Sequence, residues 1–349
     1  MAADGPGRST SCVNESSARC TILLLPKMER RRPVYDRLGQ SSRRRIGSVR
    51  IHHLNCGSLC PPGGRLFGGA GGLLSPAPIC CHCLLIEGDD RLILVDTGLG
   101  VEDVNEPRRL GLVFNVMARP RLEVAETALR QVVDLGYRPS DVRHIVPTHL
   151  DLDHAGGISD FPAAAVHIYA DELRAASSRS SLAERGRYRP VQLSAVRKWA
   201  VVKEEGEDWF GFSAVRAIPG TADEVLLIPL PGHTRGHCGV AVRRSEDWLL
   251  HCGDAYFHHS EVESGGSAAP AGLRALQSLM SADGAARRAN LARLRELARL
   301  TMGEVKLFCS HDPVEFAALK GEEPQPEIVE PPVSAPRRPR PVELRAQGR

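Results

Sequence analysis

Short apolar runs broken by turn residues dominate the middle of the chain. Ile79–Glu87 and residues 91–96 are two such runs, separated by Gly88-Asp89-Asp90, and this pattern predicts a β-hairpin. Residues 143–148, 225–230, 239–243, 248–252 and 305–309 are further runs of strand length, apolar enough for burial within a sheet. Residues 122–135 instead carry apolar side chains at helical spacing and stop at Gly136, a residue suited to a helix C-terminus. Residues 291–300 read as an Ala/Leu/Arg helix. Strands mixed with helices predict one layered α/β domain over residues 48–318.

Composition separates that domain from its flanks. Residues 1–47 are rich in Ser, Gly and Arg, with Arg30-Arg31-Arg32 and Arg43-Arg44-Arg45, and residues 319–349 repeat Pro with Glu and Arg. Neither flank can bury a core, so both are expected to be disordered tails. A start at Met28, or an N-terminal arm for polyanions, are the alternatives for the basic flank. The net charge of +3 hides this split, because residues 1–50 hold 11 Lys/Arg against 4 Asp/Glu while residues 51–319 hold 28 against 33. An acidic core argues against a nucleic-acid partner. No apolar run approaches the ~18 residues of a membrane span. The segment Cys20-Thr-Ile-Leu-Leu-Leu-Pro26 is too short for a signal-peptide core, and its basic cluster follows it. A cytoplasmic protein is therefore expected, with its ten cysteines as thiols or ligands rather than disulfides.

The densest chemistry lies in Thr148-His149-Leu150-Asp151-Leu152-Asp153-His154-Ala155-Gly156-Gly157, directly after a predicted strand. Four imidazoles and carboxylates within six residues would repel or stay unsatisfied if buried alone. Divalent cations resolve the conflict, since neutral imidazole and ionised carboxylate are suitable ligands. Ala155-Gly156-Gly157 lets the backbone turn closely beneath such a site. Three later strand ends carry the same residue types: Pro231-Gly232-His233-Thr234, Cys252-Gly253-Asp254 and Ser310-His311-Asp312. Each is weak alone, because a strand-end histidine is more often structural. Jointly they form an ordered ligand series.

That series resembles the metallo-β-lactamase superfamily, and within it most closely the quorum-quenching acyl-homoserine lactonase type. The motif Leu94-Val95-Asp96-Thr97-Gly98 matches the family's upstream Asp, and the likeness covers about residues 48–318. It implies a four-layer αββα sandwich, two divalent metal ions at one edge (Zn2+ foremost, Fe or Mn as alternatives) and a single domain that can form a homodimer. Carried over, His149, Asp151 and His233 hold one metal. Asp153, His154 and His311 hold the other, Asp254 bridges them, and Asp96 supports the ligands from behind. Asp151 stands where the family usually has histidine. Counting two metals, three carboxylates and one hydroxide gives zero charge, which favours neutral esters or lactones over anionic β-lactams.

The implied reaction is attack of a metal-bridged hydroxide on an ester or lactone carbonyl, with Asp153 guiding the proton to the leaving group. An acyl-homoserine lactone is the best single substrate. Rival readings are a thioester hydrolase of the glyoxalase II type, an iron-dependent persulfide dioxygenase and a non-catalytic ligand-binding member. Tyr256 is the candidate oxyanion donor, with packing of its ring in the pocket wall as the favoured competing role. His237, His258 and His259 lie close enough to the motifs to line the pocket, though a structural role is favoured for each. His52, His53, His82, His144, His167 and His251 read as structural. Cys56, Cys60, Cys80, Cys81 and Cys83 fit buried thiols better than a structural zinc, and Cys252 and Cys309 read as small core fillers. The loop 55–72 reads equally as a lid or as a static Gly-rich turn.

Overall fold

The computed structural model describes residues 49–321 except 69–70, 89–90, 204–205, 220, 222–223 and 264–267. The N-terminal extension and residues 322–349 lie outside the described residues, as does most of the expected Gly88-Asp89-Asp90 turn. Two six-stranded sheets organise the rest. The first runs β1 (Arg50–Leu59), β2 (Ile79–Glu87), β3 (Leu92–Val95), β4 (Val142–Val146), β5 (Ala165–Tyr169) and β6 (Trp199–Val202), side by side in chain order. The second runs β7 (Glu207–Trp209), β8 (Phe212–Ala217), β9 (Val225–Pro229), β10 (Cys238–Arg243), β11 (Trp248–His251) and β12 (Val305–Phe308), with β12 beside β11.

The near-continuous apolarity of these strands follows from burial on both faces. On β2, Leu84 and Ile86 join Ile93, Val95 and Val146 against Val225, Leu227, Val240, Val242 and Leu249 of the second sheet. The alternate residues, Cys83 and Leu85, pack with Leu94, Ala128, Val132, Ala175 and Ala176 from helices on the opposite face. The two-residue period thus divides one strand between two cores. Helix Gly284–Thr301 covers the other sheet, burying Leu291, Leu294 and Leu297. This is the layered α/β architecture that the sequence pattern predicts, in the sandwich form that the resemblance implies.

Two boundaries differ from expectation. The helix predicted over 122–135 begins only at Ala128, where Thr127 caps it by accepting from Arg130 N at 3.3 Å. Leu122 sits at φ 56°, which interrupts the helical path, and Glu126 is drawn away to accept from Ser58 N and Oγ at 2.7 and 2.8 Å. At the other end, helix Pro313–Gly321 runs past residue 318. Leu319 is buried and Lys320 Nζ donates to the His53 carbonyl at 3.0 Å, so the packed domain includes residues first assigned to the tail.

Strand direction fixes the site. β3 and β4 are parallel, as are β11 and β12, and β9 runs the same way as β11 because both are antiparallel to β10. The carboxyl ends of β3, β4, β9, β11 and β12 lead into Asp96, His149, His233, Asp254 and His311 respectively.

Candidate metal centre

The ligand-type residues of the four motifs meet. His149 Nε2 lies 3.4 Å from Asp151 Oδ2, which lies 3.1 Å from His233 Nε2. His154 Nε2 and His311 Nε2 are 3.3 Å apart, and Asp153 Oδ2 is 3.8 Å from His311 Nε2. Asp254 stands between the two sets. Its Oδ2 faces His233 Nε2 at 3.3 Å and His149 Nε2 at 3.8 Å, while its Oδ1 faces His311 Nε2 at 3.2 Å and His154 Nε2 at 3.4 Å. Cys81, which the sequence reading left among the structural thiols, comes within 4.8 Å of the ligand atoms of Asp153 and His311.

Each convergence has a support behind it. His154 Nδ1–H donates to Asp96 Oδ2 at 2.9 Å and His311 Nδ1–H to the Cys80 carbonyl at 2.8 Å, which turns both Nε2 atoms inward. His149 Nδ1 pairs with the Thr148 hydroxyl at 2.9 Å. Glu172, which sequence reasoning missed, is fully buried and accepts from Leu150 N and Gly236 N, both at 3.0 Å. One carboxylate therefore braces the His149 loop and the His233 loop together. His237 has a structural role: its Nδ1–H donates to the Leu230 carbonyl at 3.0 Å and its Nε2 accepts from Asp254 N at 2.9 Å. The tight turn after His154 needs glycine, because a Cβ on Gly156 would stand 2.5 Å from Asp103 Oδ2 and 2.7 Å from the Gly98 carbonyl.

Donors and anions converge here without enough protons or cations to satisfy them. His149 Nε2, Asp151 Oδ1 and Asp254 Oδ1 are buried without a hydrogen-bond partner. Burial disfavours a charged His154, yet the Asp254 and Asp96 carboxylates overcome it and raise its pKa to about 10. Burial holds His233 down to about 4. Burial would also raise Asp151 and Asp254, but Arg187 and His149 beside the first, and His311 and His154 beside the second, hold both well below the usual carboxylate range. Ionised carboxylates and imidazoles turned inward, among them the unpartnered Nε2 of His149, are the donor set that divalent metals take, so the residues fit the group.

Two expectations are corrected. Tyr256 does not offer its hydroxyl to the site: it is fully buried and donates to Glu315 Oε1 at 2.9 Å. Phe257 takes the place beside the ligands, with its ring 5.4 Å from that of His311 and 5.9 Å from that of His233. The charge count also omitted a cation. Arg187 Nε lies 3.4 Å from Asp151 Oδ1 with its side chain 8% exposed, which restores the positive unit that Asp151 removes. Nothing in its local sequence, Leu-Ala-Glu-Arg-Gly-Arg, marks it.

His258, His259 and Asp312 form a separate cluster, and its bonds are already made. Asp312 Oδ2 accepts from His259 N and Nδ1 at 2.6 and 2.7 Å, while its Oδ1 accepts from Val314 N and Glu315 N. The cysteines of 56–83 form no ligand group among themselves among the described residues, and all but Cys60 are buried.

The family model described as the metallo-beta-lactamase superfamily matches residues 79–301. The chain belongs to this superfamily. It is 44% identical over 265 residues to a probable metallo-hydrolase of Mycobacterium tuberculosis, spanning 76% of this chain and 81% of the relative. It is 30% identical over 175 residues to an N-acyl homoserine lactonase of Rhizobium johnstonii, spanning 49% of this chain and 64% of the relative. Among solved structures it is similar to an N-acyl homoserine lactone hydrolase bearing the product N-hexanoyl-L-homoserine at its catalytic metal centre. That likeness has a TM-score of 0.59 at 20% identity and covers 78% of this chain and 97% of the other, which bears on the fold. The chain is a metallo-hydrolase of the metallo-beta-lactamase superfamily, whose members bind divalent metals. No described helix is long and apolar enough to cross a membrane.

Proposed function

We propose that this metallo-hydrolase opens a small carboxylic ester, with a lactone of the N-acyl homoserine type as the foremost substrate, at a dinuclear site. The observation that carries the dinuclear reading is the two-sided carboxylate of Asp254, one oxygen toward His149 and His233 and the other toward His154 and His311. His149, Asp151 and His233 would hold one ion, Asp153, His154 and His311 the other, and Asp254 would serve both. When bound, the pair of ions supplies Lewis acidity toward a carbonyl oxygen and lowers the pKa of water toward neutrality, with zinc the first choice for this donor set.

The chain's own residues do the remainder. Asp153 is the most exposed of the three aspartates in the ligand series, at 14% of its side chain against 7% for Asp151 and 4% for Asp254. It is the carboxylate best able to take the proton from an attacking water and return it to the leaving alkoxide. Asp96 fixes the tautomer of His154, and Glu172 keeps the two loops in register. The Phe257 ring gives the site an apolar wall that excludes water. With Arg187 included the charge count gives no preference between neutral and anionic substrates, so the lactone reading rests on the similarity to lactonases.

A panel of acyl-homoserine lactones, aliphatic esters, glutathione thioesters and β-lactams tests it, with acid release followed by pH-stat. Lactone opening at the highest kcat/KM is expected. A thioester turned over faster than every lactone overturns the substrate assignment while leaving the hydrolytic class intact.

A further inference from the structure

Arg187 closes helix Leu182–Arg187 and points its guanidinium inward rather than to solvent. Nη1 donates to the His233 carbonyl at 3.0 Å, Nη2 donates to the Met280 carbonyl, and Nε stands 3.4 Å from Asp151 Oδ1. The two carbonyls fix where the guanidinium sits, but only a carboxylate compensates its charge, and among the described residues Asp151 is the one within ion-pair range. Two other buried acids on or near this helix are already engaged, Glu172 by Leu150 N and Gly236 N and Glu184 by Ser180, Ser181 N and Arg235. The pairing divides Asp151 between its two oxygens: Oδ1 is on the side of Arg187, while Oδ2 faces His149 and His233.

We propose that Arg187 is a positioning residue and that Asp151 and Arg187 form one charge-balanced unit, together doing the work of a single neutral imidazole at this ligand position. The inference rests on the reading above that Asp151 is a metal ligand. Arg187 Nε approaches from the Oδ1 side at ion-pair distance, which leaves Oδ2 directed at the metal position, and its charge cancels the carboxylate's. The site so loaded keeps the net charge it would have with histidine. Losing one member leaves the other buried and uncompensated, and the cost of that is larger than the worth of the pair itself. The carboxylate at position 151 and the arginine at position 187 are therefore mutually dependent, although they stand 36 positions apart in the sequence.

Mutual dependence is read by a double-mutant cycle on the full-length protein. The variants are Asp151→His, Arg187→Met, the two combined, and Asp151→Ala. The readouts are zinc affinity by chelator competition and the melting temperature of the metal-free protein. Asp151→His alone strands a buried guanidinium beside the metal position, so zinc affinity should fall at least tenfold and the metal-free melting point by roughly 5–10 °C. Adding Arg187→Met should recover at least tenfold of that affinity and most of the melting point. A merely structural role, acting through the His233 and Met280 carbonyls, predicts the opposite, because Arg187→Met then removes the same contacts in either background and weakens the double variant further. Zinc affinity of the double variant equal to or below that of Asp151→His overturns the proposal. Should Asp151→His fail to fold, Asp151→Asn with and without Arg187→Met is read in the same way. Asp151→Ala separates the two ideas. If it keeps wild-type zinc affinity, Asp151 is not a ligand and the site reading falls along with the pair. If it loses zinc while the double variant fails to recover, the pair alone falls.

Discussion

Asp96 Oδ2 accepts the Nδ1–H of His154 at 2.9 Å, across two parallel strands. The same carboxylate accepts Thr148 N at 2.7 Å and the Thr148 hydroxyl at 2.9 Å, so three donors converge on it. Asp96 adopts φ 54°, a left-handed conformation that costs a non-glycine residue about 1 kcal/mol or more. Asp96→Asn keeps the shape but sets an amide N–H against one of those donors. Metal affinity and kcat/KM should each fall about 10–100-fold, as for other groups that orient a ligating imidazole. Chelator competition against the wild type checks the affinity, and the apo-protein should remain folded by circular dichroism.

Tyr256→Phe should leave kcat and KM within about twofold of wild type, because the hydroxyl is spent on Glu315. Stability should fall instead, by about 1–3 kcal/mol for the carboxyl oxygen left without its donor in a buried setting. Urea melts measure the second effect and steady-state kinetics the first. A hundredfold loss of kcat with unchanged stability would return Tyr256 to the reaction.

Glu172→Ala removes the acceptor that two ligand loops share. Leu150 N and Gly236 N then lie buried and unpaired, at about 1–3 kcal/mol each. Both the melting temperature and the affinity for the metal assigned by the proposal to His149 and His233 should drop, and equilibrium dialysis with elemental analysis resolves which metal is lost.

Two buried histidines away from the site give the fold an acid limit. Burial lowers His53 to about 3 and His167 to about 4, against an ordinary 6.5. The unfolded chain thus binds protons below pH 6.5 that the folded chain refuses. Their contribution is complete above pH 6.5 and is lost as the pH falls toward 4, at up to about 1.4 kcal/mol per pH unit for each. His167→Gln cannot titrate, so its unfolding free energy should fall less steeply than wild type between pH 6.5 and 4.5. Parallel slopes in urea melts would contradict the assignment.

How far the sequence announces this structure depends on the kind of signal. The strand ends bearing His149, His233, Asp254 and His311 were legible because each couples an apolar run to a ligand-type residue, and within the second sheet the strands leading to His233, Asp254 and His311 do run in one direction. The Asp96 support was legible only through resemblance. Glu172 and Arg187 were not, since acids in a first helical turn, here Asp171 and Glu172, and arginines in a last turn, here Arg185 and Arg187, ordinarily face solvent. Only the packing of helices 170–178 and 182–187 against the ligand loops turns them inward. The oxyanion role weighed for Tyr256 fails for a related reason: the two-residue step from Asp254 suggests proximity, but the chain turns after Gly253, at φ 54°, and presents Phe257 instead. The break at Leu122 was hidden as well, because helical periodicity carries no trace of one positive φ.

The dinuclear assignment is tested most directly by elemental analysis of protein saturated with zinc and freed of excess metal. About two ions per wild-type chain are expected if the two oxygens of Asp254 serve the two sites proposed for them. His311→Ala should retain about one, losing mainly the ion held with Asp153 and His154, and Asp254→Ala should lose metal from both positions. A saturated wild type that holds no more than one ion per chain would contradict the account.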